Sequence, residues 1–140
     1  MKTPKKSNNQ SSSSSKSNSN SSIPGVQKTS HQYPIFDQWY KTNDWILQRC
    51  DTMPKHTRFT ISSKIACIAL ENTDLIIKAI YSKQKITLLS TLNLNLERLR
   101  IFFRMCKDRR YISIKQFEYI TDELNTTGKM CGGWIKQCKE

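Results

Sequence analysis

Residues 86–110, Ile86-Thr-Leu-Leu-Ser-Thr-Leu-Asn-Leu-Asn-Leu-Glu-Arg-Leu-Arg-Ile-Phe-Phe-Arg-Met-Cys-Lys-Asp-Arg-Arg110, decide the fold. Leu89, Leu92, Leu96, Leu99, Phe103 and Cys106 recur at alternating spacings of three and four. That spacing places all six on one stripe of an α-helix. Around the stripe stand Arg98, Arg100, Arg104, Lys107, Arg109 and Arg110, against only Glu97 and Asp108. Arg100, Arg104 and Lys107 follow i, i+4, i+7 and make a cationic row beside the apolar seam. At about 100° per residue, Leu94, Ile101 and Met105 fall on the face roughly opposite Leu99. A bundle of one chain leaves that face in water, so the second stripe points to packing against another subunit, the plain alternative being the scattered exposed apolar residues common on any surface. Trp45, displaced from the apolar stripe of its own segment, joins this candidate oligomer interface.

Working outward, the same period recurs on both sides. Tyr33-Pro34 opens a first helix, where proline is tolerated because the first helical N–H has no partner. Phe36, Trp39, Asn43, Ile46 and Cys50 form its stripe, and Pro54 marks its end or the start of the next element. A second helix runs to about Tyr81 on Ile61, Ile65, Ile68, Leu75, Ile76 and Ala79, with Asn72 interrupting the apolar face. A short turn from Ser82 to Lys85 forces the second and third helices to be antiparallel neighbours. Ser113 is placed to N-cap a fourth helix. Its stripe is Phe117, Ile120, Leu124, Thr127, Cys131, Trp134 and Cys138.

No segment alternates with period two over a strand's length. The expected fold is therefore all-α, an antiparallel up-down-up-down four-helix bundle over residues 33–140. An arrangement in which two subunits exchange helix pairs is the competing architecture. Gly128 and Gly132, four apart on one helix face, suggest close approach of a neighbouring helix; fraying of the helix at Gly132 is the other reading.

Residues 1–32 are of another kind. The run 7–22 is almost wholly Ser and Asn, with no aromatic residue and no apolar period. Such a segment cannot bury enough surface to offset its ordering entropy, so a disordered tail is expected. Its lysines, at positions 2, 5, 6, 16 and 28, face no acid, and of the net charge of +12 the bundle segment carries the remaining +7.

Charge of one sign on both segments favours a polyanionic partner over a membrane surface. A basic protein without a specific partner is the plain alternative. Arginine presents planar donors suited to phosphate. Lys83, Lys85, Arg98, Arg100, Arg104, Lys107, Arg109 and Arg110 are the candidate nucleic-acid contacts, directed to the backbone of RNA or DNA. The opposing reading is that long cations cover the helix flank and keep it soluble.

Catalysis finds little support. His31 lies in the tail segment and His56 in a link beside Pro54. There is no glycine-rich phosphate loop, and the tail serines have no scaffold to position them. Neither a cofactor nor a metal site is expected. The five cysteines (Cys50, Cys67, Cys106, Cys131 and Cys138) contain no Cys-x-x-Cys pair, and several fall on apolar stripes as small hydrophobes would. No apolar run reaches the ~18 residues of a membrane span. The N-terminal lysines precede no apolar region of a secretory signal, so a cytoplasmic location is expected.

Several of these segments together resemble a known family. Pro34-Ile-Phe-Asp-Gln-Trp-Tyr and Asp44-Trp-Ile-Leu open the chain as in the accessory variability determinant (Avd) proteins of diversity-generating retroelements. Pro54-Lys-His-Thr-Arg-Phe-Thr is similar to that family's link into its second helix. Ala79-Ile-Tyr-Ser-Lys and Leu94-Asn-Leu-Glu-Arg-Leu-Arg resemble the end of its second helix and its third. Met130-Cys-Gly-Gly-Trp-Ile-Lys resembles its C-terminal Leu-Gly-Gly-Trp-Ile motif, with Cys131 in place of the usual leucine. The resemblance spans residues 34–139 and leaves the tail without a counterpart. It implies a four-helix bundle assembled into a barrel-like homopentamer. It further implies a non-catalytic accessory that partners the reverse transcriptase and binds template RNA during mutagenic retrohoming. A related four-helix family, encoded in ribosomal RNA intervening sequences, implies instead a structural or protein-interaction oligomer.

Overall fold

The computed structural model describes residues 33–140. The Ser/Asn-rich segment, its lysines and His31 lie outside the described residues. Four helices follow in order: α1 (Pro34–Thr52), α2 (Ile61–Tyr81), α3 (Lys85–Asp108) and α4 (Ile114–Lys139). A 3₁₀ turn at Lys55–Phe59 joins α1 to α2. Each helix packs on the next in sequence and α1 closes against α4, which leaves α1–α3 and α2–α4 as the diagonals. The bundle is all-α and up-down-up-down, and it closes within one chain.

The seam of α3 is its axis. Leu89, Leu92, Leu96, Leu99, Phe103 and Cys106 are all 0% exposed. Ile65, Ile68, Leu75, Ile76 and Ala79 of α2 meet them, with Ile120, Leu124 and Cys131 of α4. On α1 the buried positions are Ile35, Trp39, Thr42 and Ile46. The expected stripe is thus turned by one residue at two places: Phe36 and Asn43 are only half-buried. The side of α1 that carries Gln38 and Thr42 faces α4: Gln38 Nε2 donates to Glu123 Oε1 at 2.9 Å and Lys41 Nζ pairs with the same oxygen at 3.0 Å. Trp39 crosses to α2, where its Nε1 donates to the Ala69 carbonyl and to Thr73 Oγ1, each at 3.2 Å.

Helix ends are satisfied by local chemistry. Ser113 caps α4 as expected: its Oγ accepts from the Gln116 N–H at 3.1 Å, and Gln116 Oε1 accepts from the Ser113 N–H at 2.9 Å, a reciprocal capping box. At the other end α4 runs unbroken to Lys139 without fraying at Gly132. A Cβ at Gly128 would lie 3.2 Å from Arg100 Nη2, so α3 does approach closely there, whereas Gly132 and Gly133 face open space.

None of the five cysteines is in a disulfide. Burial pushes Cys106 up to about 12 and Cys131 up to about 11, so both remain protonated thiols near neutral pH. Cys131 Sγ donates to the Leu89 carbonyl at 3.2 Å.

Asn72 is an anomaly in this core. It is 0% exposed, and neither its amide nitrogen nor its amide oxygen has a hydrogen-bond partner among the described residues. Leaving buried polar groups unpaired costs about 1–3 kcal/mol. Asn72→Leu, which keeps the branching and removes both polar atoms, is expected to raise stability by about that amount. Urea denaturation of the two proteins checks this; a lower midpoint for Asn72→Leu would mean that the amide has partners or that leucine overfills the site.

Candidate nucleic-acid interface

The expected contacts fall at two ends of the bundle and along one flank. One end holds the α2–α3 turn with Lys83 and Lys85. The other holds the 3₁₀ turn and the α3–α4 turn with Arg109 and Arg110. The 24 residues of α3 hold these ends apart by about 36 Å, so no single site spans the whole expected set.

Several of the expected contacts are occupied by the fold itself. Lys85 Nζ donates to the Ala79 carbonyl at 2.7 Å and the Ile80 carbonyl at 3.0 Å, closing the last turn of α2. Arg100 fastens α3 to α4: Nε donates to Asn125 Oδ1 at 3.0 Å, Nη2 to the Leu124 carbonyl at 3.5 Å, and Nη1 pairs with Glu97 at 2.8 Å. Arg98 Nη1 donates to Asn95 Oδ1 at 3.2 Å, and Asn95 reaches Glu71 of α2 at 3.1 Å. Lys107 lies 4.8 Å from the centre of the Phe117 ring and 3.4 Å from Asp108. Arg100 and Lys107 therefore lean onto α4, whereas Arg104 is exposed and its side chain has no ion pair or hydrogen bond among the described residues.

At the α3–α4 turn, α3 ends in a Schellman motif. The Tyr111 N–H donates to the Cys106 carbonyl at 2.8 Å and the Arg110 N–H to the Lys107 carbonyl at 3.0 Å. Arg110 takes the left-handed position at φ 65°, where glycine is usual. Arg109 Nε donates to the Tyr111 hydroxyl at 2.9 Å, which also lies 3.2 Å from His56 Nε2. Hydrogen bonding to that hydroxyl raises the Arg109 pKa further, so the guanidinium stays charged.

Tertiary structure adds residues the α3 pattern does not reach. Lys55 and Arg58 of the 3₁₀ turn and Lys115 at the start of α4 sit exposed at the Arg109–Arg110 end, and Phe59 of the same 3₁₀ turn is exposed too. The available signal was the interleaving of cations and rings in Lys55-His56-Thr57-Arg58-Phe59.

The second apolar stripe is a real surface. Leu94, Ile101 and Met105 are 61%, 49% and 46% exposed along the outer side of α3. Trp45 is elsewhere: it is half-buried on α1, with its ring 6.3 Å from Phe103 and 5.1 Å from Tyr119. Its displacement from the α1 stripe is met by partners in its own chain.

Among the described residues no helix is long and apolar enough to cross a membrane, and no group of His, Cys, Asp or Glu could hold a metal ion. No curated protein and no solved structure matches the chain. The model of the bAvd-like family does match it, over residues 34–138, which takes in all four helices and both cationic ends; the chain belongs to the bAvd-like family.

Proposed function

We propose that this protein is a non-catalytic accessory of a diversity-generating retroelement, which binds the template RNA and the reverse transcriptase and supports mutagenic retrohoming. The observation that carries the reading is the family match over residues 34–138 on a bundle with an excess of cations. It favours the retroelement over the intervening-sequence relatives. The bundle segment, 33–140, is the binding domain and the basic residues 1–32 are an extension of it. Its place of work is the cytoplasm, where template RNA and enzyme meet.

Arg104 and Arg110, whose side chains have no hydrogen bond or ion pair among the described residues, support an RNA contact, as does Arg109, whose guanidinium donates to the Tyr111 hydroxyl rather than to an acid. Lys83, Arg98 and Lys107 supply further charge; Lys85 and Arg100 contribute by holding the helices that carry it. The exposed stripe Leu94, Ile101, Met105 supports a homo-oligomer, with the pentamer of the family as the assembly.

RNA binding is tested by titrating a labelled template RNA with the full chain at rising salt. Engagement of four to six phosphates of a single strand is expected to cost roughly 50- to 300-fold in affinity between 50 and 200 mM salt. Affinity that is flat with salt, or absent at the lowest salt, overturns the RNA part of the reading. Copurification of reverse transcriptase after nuclease treatment tests the protein partner separately.

A further inference from the structure

The end of the bundle built from the 3₁₀ turn and the α3–α4 turn joins three features. The first is Phe59, 91% exposed and the most exposed large apolar side chain among the described residues. It is not on a slack loop. Thr57, buried two residues before it, donates to the Pro54 carbonyl from its hydroxyl at 2.7 Å and its N–H at 2.9 Å. The Thr60 N–H closes the turn on the Thr57 carbonyl at 3.0 Å. In a 3₁₀ turn residues i and i+3 project from the same side, so Phe59 emerges beside His56.

The second feature is Tyr111, against which the His56 ring stands edge-on at 5.6 Å. It forms the shared wall of two open clefts. One, about 460 Å³, runs from His56 to Met105 and Arg109; the other, about 550 Å³, runs from Lys107 and Arg110 to Gln116. Each cleft thus has an arginine at its rim. Lys55 and Arg58 add two exposed cations beside Phe59, and Asp51 and Asp108 are the acids of the flanking helix ends.

The third is the conformation of Arg110. A residue with a Cβ is disfavoured in the left-handed region that glycine enters freely. Glycine would serve the turn better; arginine serves charge at the surface.

We infer that this end of the bundle takes single-stranded RNA, with a base stacked on Phe59 and phosphates held by Lys55, Arg58, Arg109 and Arg110 on either side of Tyr111. The inference rests on the RNA-binding reading above and assigns its place and strand type. A ring held out on a rigid turn serves an unstacked base, which a single strand offers and a duplex does not. The surrounding cations track the backbone with little sequence information.

The test compares full-length wild type, Phe59→Ala, Arg110→Gly and Lys78→Gln for binding of a labelled single-stranded RNA and a duplex of equal length, by fluorescence anisotropy. Phe59→Ala is expected to weaken single-strand binding about 5- to 150-fold, the loss of one stacked base, and duplex binding much less. Arg110→Gly is expected to flatten the single-strand salt slope by about 0.7, one phosphate contact, while its melting temperature rises. A variant that folds better and binds worse separates binding from folding. Lys78→Gln, at the opposite end, removes the same charge and is expected to leave single-strand affinity nearly unchanged.

If wild type binds single strands while Phe59→Ala and Arg110→Gly bind as well as it does, the assignment to this end is wrong and the RNA reading stands. Equal losses on single strand and duplex overturn the stacking. Wild type that binds neither RNA overturns the broader reading as well.

Discussion

Phe103→Ala is expected to cost about 3–5 kcal/mol of folding free energy. Phe103 is 0% exposed on the seam of α3, with the Trp45 ring 6.3 Å away on the α1 side. Truncation forfeits the transfer free energy of the ring and leaves a cavity that four packed helices collapse into only in part. A domain of this kind is stabilised by about 5–15 kcal/mol in all, so the variant loses a large share of its stability. At about 4–8 °C per kcal/mol, the melting temperature falls by about 12–40 °C. Leu70→Ala on α2 is the contrast. Leu70 is 50% exposed, and the change stays within about 0.5 kcal/mol. Circular dichroism through urea titrations at one fixed protein concentration reads both, because an oligomer's stability depends on concentration. A cost for Phe103→Ala below about 1 kcal/mol would mean that the seam is not the axis of the core.

Ile101→Asp is expected to reduce the particle to a single chain of 16.3 kDa in multi-angle light scattering. Ile101 lies between Leu94 and Met105 on the outer stripe and is 49% exposed, so an aspartate there meets water in the monomer and the helical signal should persist. In an assembly that buries the stripe, the same carboxylate is desolvated with no partner to offset it. That cost is several kcal/mol, enough to dissociate a subunit contact. A mass unchanged from wild type would remove the stripe from the interface. Loss of helical signal would show instead that Ile101 supports the fold of one chain.

The two variants rest on different grades of legibility. The seam, the second stripe and the number of helices are written in spacings of three and four, and those survive any tertiary arrangement because a helix face is a local property. The α4 start was equally legible, since Ser113 and Gln116 complete their box within one turn. On α1 the local pattern erred by one position. Ile35 and Thr42 are buried where the stripe of Phe36 and Asn43 is expected, because the roll of α1 is set by the helices it packs on, among them α4, whose Glu123 meets Gln38 and Lys41 from far along the chain.

The sequence by itself determined an all-α bundle, its core seam, its basic character and its membership of a family. Only the tertiary structure decided which cations are at liberty. Arg100 and Arg104 look alike in a list four residues apart, yet Arg100 is engaged by Asn125 and the Leu124 carbonyl across the α3–α4 contact and Arg104 is not. Lys85 is engaged by the carbonyl ends of α2. In the same way Phe59 joins Tyr111, Arg109 and Arg110 only because α1–α2 and α3–α4 turn at one end of the bundle. The physical reason is range. Helix faces follow from neighbours three and four residues away, whereas the freedom of a charged side chain depends on acceptors that folding brings from distant parts of the chain.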